Sequence, residues 1–280
     1  MDEDYQGKIA LVTGAGSGIG RCITNELAAR GATVVATDYD ADTAAETAAA
    51  NGDSVTSGQL DVTDPAAFAA AVGAAVDDHG RIDLVFNNAG IGGVPSEARF
   101  LEAKHWDHVI DVNVRGVING VSAAYPTMIE QGDGHIVNTA SMAGLAPVPG
   151  ATPYSATKHA VVGLSLSLRA EASSYGVRVS ALCPAALETP ILDIRPEPEL
   201  EAEPGYWIPD LRRYLGRVGG VADPADFAQY ALDQVAKNKG TIVFGRTARV
   251  IARLYRAMPG AVAAMSTREF ERERKRIVDG

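Results

Sequence analysis

"KIALVTGAGSGIGR", residues 8–21, decides the fold. A short aliphatic run enters a turn with glycine at 14, 16, 18 and 20, and the turn opens a helical pattern that ends near Gly31. An almost wholly apolar strand is the mark of a parallel sheet covered on both faces. Glycines let the backbone bend sharply and approach a ligand closely. The helix N-terminus beyond them offers unpaired N–H groups and a favourable dipole, so the segment predicts a phosphate held by backbone. Asp38 follows Gly20 by eighteen residues, at the end of the second apolar run "ATVVATD". A carboxylate there can accept from both ribose hydroxyls of a dinucleotide and repels an additional 2′-phosphate. NAD is therefore expected over NADP, and Ser17 agrees, since it stands in the loop where a basic residue could have paired with that phosphate.

The alternation continues. "SVTSGQLDV", "IDLVFNN", "HIVNTA", "VRVSALC" and "TIVFG" read as five further strands separated by Ala-rich helical patterns, with Asp64-Pro65 and Asp223-Pro224 as helix starts. Seven strands joined by crossovers predict an α/β fold: one doubly wound, seven-stranded parallel sheet of Rossmann type, with helices on both faces and ligands at the carboxyl ends of the strands. The 280 residues, 46% hydrophobic, suffice for one domain over residues 7–245, with a tail at 1–6 and a helical extension at 246–280. Net charge is −10, which argues against nucleic acid as a partner. The extension departs from this balance: its nine basic and four acidic residues give a local +5. Cys22 and Cys183 lack metal-ligand spacing and read as packing residues, and His105 with His108 reads as a surface-helix pair, so no metal is expected. No apolar signal core or long apolar run is present, and a cytoplasmic location is expected.

"YSATK", residues 154–158, sets a tyrosine and one of only six lysines four positions apart, on one helical face. Thr152 is read as the N-cap and Pro153 as the first helical residue. Thirteen residues earlier stands Ser141 of "SMAG", and earlier still are "NNAG" at 87–90 and Asn113 in "VNV". With the Thr13–Gly20 loop, this ordered set resembles the short-chain dehydrogenase/reductase family over roughly residues 7–245. The resemblance implies Tyr154 as general acid/base, Lys158 gripping the nicotinamide ribose and biasing the tyrosine, Ser141 holding the substrate oxygen, and Asn113 supporting a proton relay through water. It also implies a cofactor path along Gly14, Ser17, Gly18, Ile19, Gly20, Asp38, Asp61, Val62, Asn88, Ala89, Gly90, Tyr154, Lys158, Pro184 and Thr189, and a homo-oligomer, tetramer or dimer. Asp61 can accept from an adenine amino group; a turn acid is its ordinary explanation.

A tyrosine brought from about 10 to about 7 needs roughly 4 kcal/mol, and one cation at about 4 Å with an effective dielectric of about 20 supplies a similar amount before any burial cost. Oxidation of a secondary alcohol is the expected reaction. The alternatives are a carbonyl or 3-oxoacyl reductase, which Asp38 opposes, and a non-catalytic NAD(H)-sensing protein, which the intact Ser-Tyr-Lys set opposes. Ala185 stands where the family usually has glycine after proline, which leaves the turn beside the nicotinamide open. Residues 187–217 are expected to close over substrate. Tyr206 and Trp207 would form an apolar wall there, and the absence of an obvious anion receptor points to a neutral, fairly apolar alcohol or ketone, steroid-, terpenoid- or lipid-like. In the extension, Val250, Ile251, Leu254, Tyr255 and Met258 face away from Arg249, Arg253 and Arg256. Packing on protein and docking on a membrane surface are both open readings for this helix.

Overall fold

A computed structural model describes residues 5–193 and 220–278. Seven strands, β1 (Ile9–Thr13), β2 (Thr33–Asp38), β3 (Val55–Gln59), β4 (Leu84–Asn87), β5 (Gly134–Thr139), β6 (Val177–Cys183) and β7 (Thr241–Val243), form one parallel sheet. Their order is β3-β2-β1-β4-β5-β6-β7, so the winding reverses between β1 and β4. A ligand crevice belongs at the carboxyl ends of those two strands.

Alternation along β1 shows why both faces are covered. Ala10 and Val12 join a core with Ile23 and Leu27 of α1 (Gly18–Ala29) and Phe227 and Leu232 of α7 (Pro224–Ala236). Leu11 points the other way, toward Phe68 and Val72 of α3 (Pro65–His79), Met128 of α5 (Gly116–Gln131) and Leu168 of α6 (Thr152–Ala172). Phe68 and Phe227 are fully buried, each worth about 2–3 kcal/mol of transfer free energy. Asp40, Asp64 and Asp223 cap α2 (Ala41–Ala49), α3 and α7 by accepting first-turn N–H groups. The chain ends in α8 (Arg246–Ala257) and α9 (Pro259–Val278).

The structure corrects three local expectations and closes a fourth question that the sequence left open. The third strand stops at Gln59 rather than Val62, because Asp61 Oδ1 accepts from both the N–H and the hydroxyl of Thr63 and bends the chain. The cap of α6 is Ala151, whose backbone is drawn into a β-bridge with Ser96; Thr152 is already helical. His105 is buried rather than on the surface: its Nδ1 accepts from the Glu102 N–H in a reciprocal cap of α4 (Ala103–Ile110). Ala185 needs no glycine, since Asn238 is the one non-glycine with positive φ among the described residues.

The amino ends of the strands carry a buried polar layer. Asp83 accepts from Ile9 N–H at 2.8 Å and pairs with Lys8 and Arg81. Burial alone would raise its carboxyl, but the Ile9 hydrogen bond and the two cations outweigh this and hold it below its ordinary value. His135 lies 2.8 Å from Ser180 Oγ, and that hydroxyl gives its proton to Lys239 O. Nε2 of His135 must therefore be the donor of a neutral imidazole. Burial, with Arg178 and Arg169 nearby, pushes His135 down to about 3.

The sign of the resulting pH dependence follows. A folded histidine near 3 binds fewer protons than an unfolded one at about 6.5, so its contribution is complete above about pH 6.5 and is lost as pH falls toward about 3. Asp83 contributes above its unfolded value near 3.8 and loses its contribution only below that. Urea unfolding of the wild type between pH 7 and 4 should lose up to about 1.4 kcal/mol per pH unit more than His135→Gln. Parallel slopes would show that His135 is not buried neutral.

Candidate active site

All the sheet's carboxyl ends meet along one edge, and the sequence-predicted residues that the structure describes collect there. Gly14, with φ +64°, lies so close to β4 that a Cβ would stand 2.9 Å from Ala89 Cα. A Cβ on Gly20 would collide with Gly14 O and come within 2.6 Å of Asn88 Nδ2. Thr13 fastens this loop: its hydroxyl accepts from the N–H groups of Asn88 and Ala89, both at 3.0 Å, while Asn88 Nδ2 donates back to Thr13 O. Ser17 is the cap residue of α1, yet its side chain makes no cap hydrogen bond. The first-turn N–H groups of Gly18, Ile19 and Gly20 thus lack intrahelical acceptors and open toward the crevice. Above Gly18, with φ +50°, sits the buried Thr189, 3.3 Å from where a Cβ would be.

Asp38 ends β2 against this loop. Its Oδ2 accepts from Gly16 N–H at 2.8 Å and its Oδ1 from Asp40 N–H at 3.1 Å, so the carboxylate is fixed in direction. Arg21, one turn into α1, is held by Glu46 at 3.1 Å. Asp61 uses one oxygen in its turn, and Val62 O is taken by Asn119 Nδ2 at 2.8 Å. These residues fit a dinucleotide: a cradle that any Cβ would fill, helix N–H donors for its phosphates, and a carboxylate directed by two backbone donors.

Lys158 is 4% exposed. Its Nζ donates to Thr139 O at 2.8 Å and stands 5.5 Å from the Tyr154 ring centroid. The same Nζ is 3.3 Å, and Asn113 Oδ1 3.1 Å, from the position a Cβ on Gly90 would take, so Gly90 leaves room between them. Asn113 lies in a π-helical turn, Asp111–Arg115, that joins α4 to α5. Its Oδ1 accepts from Ile91 N–H and its Nδ2 donates to Ile91 O and to Thr157 Oγ1. Thr157 in turn donates to Tyr154 O. Both N–H groups of the Asn113 amide are committed, which makes this side chain a strut from the β4 loop to the first turn of α6. Ser141 opens a short 3₁₀ turn, Met142–Gly144, with its hydroxyl accepting from Ala143 N–H, and it stands near enough to Tyr154 to act on the phenol in the lowering direction. Pro184 O accepts from Met142 N–H at 2.9 Å, tying the end of β6 to Ser141.

The electrostatics depart from the simple cation argument. Burial holds Tyr154 above its ordinary value; Ser141 acts in the lowering direction and Cys183 in the raising one. Burial also pushes Lys158 down to about 8. Desolvation disfavours both charged forms, and one ammonium does not offset it. Three residues that the sequence reading left out complete the site. Thr139 supplies the Lys158 acceptor, Thr157 the strut, and Cys183, pushed up to about 12 by burial, a neutral wall. Thr157 could have been found as the residue one turn from Tyr154 on the buried face; Cys183 and Thr139 carry no such signal. Tyr206 and Trp207 lie outside the described residues. No cluster able to hold a metal occurs among the described residues, nor any helix long and apolar enough to cross a membrane.

Fold and site together define an oxidoreductase that binds a nicotinamide dinucleotide. The family model for short chain dehydrogenases matches residues 8–199, and the chain belongs to the short-chain dehydrogenase/reductase family. It is 40% identical over 228 residues to 2-(R)-hydroxypropyl-CoM dehydrogenase of Xanthobacter autotrophicus, covering 79% of this chain and 90% of that one. Levodione reductase of Leifsonia aquatica is 36% identical over 221 residues, 75% of this chain and 83% of its own. Among solved structures, a short chain dehydrogenase/reductase from Burkholderia phymatum in complex with NAD superposes with a TM-score of 0.81 at 34% identity, covering 91% and 94% of the two chains.

The glycine cradle makes a direct prediction. In Gly20→Ala the added methyl meets backbone, so unfolding free energy should drop by about 1–3 kcal/mol and NADH affinity by at least about tenfold. Urea titration and NADH fluorescence would measure these; an undisturbed affinity would show that the loop does not carry the dinucleotide.

Proposed function

We propose that the protein is an NAD-dependent dehydrogenase that interconverts a secondary alcohol and a ketone, with a neutral, fairly apolar substrate. The observation that carries this reading is the convergence of Ser141, Tyr154 and Lys158 at the carboxyl ends of β5 and β6, beside the glycine cradle. The preference for NAD rests on Asp38, directed by two backbone donors, and on Arg21, which Glu46 already engages. Two relatives named 2-(R)-hydroxypropyl-CoM dehydrogenase and levodione reductase support the alcohol/ketone reading.

When bound, the oxidised nicotinamide supplies the hydride acceptor and a fixed positive charge. Tyr154 takes the proton of the substrate hydroxyl as the carbonyl forms, and returns a proton in the reverse direction. Ser141 donates a hydrogen bond to the oxygen on which negative charge develops. Lys158 favours the phenolate while protonated, and it would hold the ribose of a bound dinucleotide through the Nζ protons that Thr139 does not use. Asn113 and Thr157 keep the first turn of α6 in register with the β4 loop, and so fix where Tyr154 stands. Ile118, Leu166 and Tyr175, exposed on or beside α5 and α6, support assembly into a dimer or tetramer.

Two substitutions test the reading. Tyr154→Phe removes the proton acceptor and should lower kcat for alcohol oxidation by about 10²–10⁴ with NADH binding retained. A rate equal to the wild type across a panel of secondary alcohols would remove Tyr154 from the chemistry. Asp38→Ala should reduce the ratio of kcat/KM for NAD⁺ over NADP⁺ by at least about tenfold, since both the ribose acceptor and the repulsion go. An unchanged ratio would refute the cofactor assignment, and a wild type that prefers NADPH would favour the carbonyl reductase alternative.

A further inference from the structure

Two loops border Tyr154: residues 88–102 after β4 and 140–151 after β5. A β-bridge between Ser96 and Ala151 joins them. The second loop runs from beside Ser141 to the first turn of α6, where Tyr154 sits, so it borders both groups assigned to the chemistry.

Helix α9 is fastened to both loops. The Phe270 ring edge lies 3.8 Å from the position a Cβ on Gly150 would take, and Gly150 itself has φ +82°. One turn further on, Arg274 Nε meets Glu97 Oε1 at 3.1 Å. The Glu97 carboxylate is largely buried, at 16% exposure, and also engages Arg99 at 2.9 Å. Val262, Ser266, Phe270 and Arg274 are spaced four apart and fall on one stripe. Val262 is the one buried side chain of α9 among those described; Ser266 and Phe270 are half-buried, and Met265 stands exposed on another side. A helix added to extend the core would bury an aliphatic face against the sheet. Among the described residues, Phe270 and Arg274 of this stripe meet the two loops that frame the candidate cleft.

We propose that α9 is the outer wall of the substrate cleft and that Phe270 and Arg274 are positioning residues for substrate size, acting by holding the 88–102 and 140–151 loops together. The inference rests on the alcohol/ketone reading above. Phe270 backs the Gly150 end of the Ser141–Tyr154 loop, and Arg274 anchors the other loop through Glu97. Loosening either contact lets the loops part, which widens the cleft for bulky substrates and weakens the grip on small ones. The catalytic groups themselves keep their anchors in Thr139, Asn113 and Thr157, so cofactor binding is unaffected.

The test uses the full-length chain. Amide exchange of residues 88–102 and 140–151 should rise about threefold or more in Arg274→Glu and return to the wild-type rate in the Glu97→Arg/Arg274→Glu exchange of charges. Phe270→Ala should raise exchange at 145–151, and Phe270→Leu should restore it. With NAD⁺, the ratio of kcat/KM for 2-decanol over 2-butanol should change at least fivefold in Arg274→Glu and Phe270→Ala, carried by KM, while Kd for NADH stays within twofold. Unchanged loop exchange, exchange raised throughout the molecule, or a size ratio equal to the wild type would overturn the proposal. A wild type inert toward every alcohol but with intact NADH binding would instead refute the functional reading, and the size selection with it; the exchange arms would then still decide whether α9 fastens the loops.

Discussion

The Thr13 hydroxyl, shared between Asn88 and Ala89 N–H groups, is the contact on which the site's geometry depends. It sits where the sheet's winding reverses, and there two strands joined by a long crossover must end at the same height. Asn88 completes the staple by donating back to Thr13 O and accepting from Thr139 Oγ1, so the ends of β1, β4 and β5 are coupled. Each bond is worth about 1 kcal/mol in the usual exchange with water, but breaking one would leave a largely buried donor or acceptor unpaired, at about 1–3 kcal/mol. Gly14 and Gly20 then matter less for flexibility than for space: the strands are held so close that a methyl has nowhere to go.

A second constraint is the burial of Lys158. An ammonium with a single described acceptor, Thr139 O, in a largely dry site titrates near 8, and the adjacent phenol is driven the opposite way. Both shifts have the same cause, removal of water. A site built this way resists ionisation of either group for as long as water is kept out. The polar layer at the opposite edge of the sheet, around Asp83 and His135, shows the same physics used for stability: its buried groups are satisfied by fixed partners, and one histidine is kept neutral.

Much of this was legible before any coordinates. Apolar strand runs, glycine spacing and Asp-Pro caps act through neighbours in the chain; a strand forms on each of the seven expected runs, the third ending early at Gln59, and the caps at Asp64 and Asp223 stand where local chemistry puts them. The misses divide by range. Ala151 caps α6 because Ser96, far off in sequence, pairs with it; His105 turns inward through a local cap with Glu102, three residues earlier, which its hydropathy does not announce. Thr157 is tied to Tyr154 one turn away, but its link to Asn113, forty-four residues earlier, needs the folded chain.

The sequence by itself determined the parallel α/β fold, the order of its strands along the chain and the residue types that meet at the carboxyl edge, because periodicity, turn chemistry and spacing are properties of adjacent residues. Tertiary structure alone decided the sign of the Tyr154 shift, the inclusion of Cys183 and Thr139, and the placement of α9 against the cleft loops. Desolvation and close packing depend on what every other segment brings to the same point, and no local pattern records that sum.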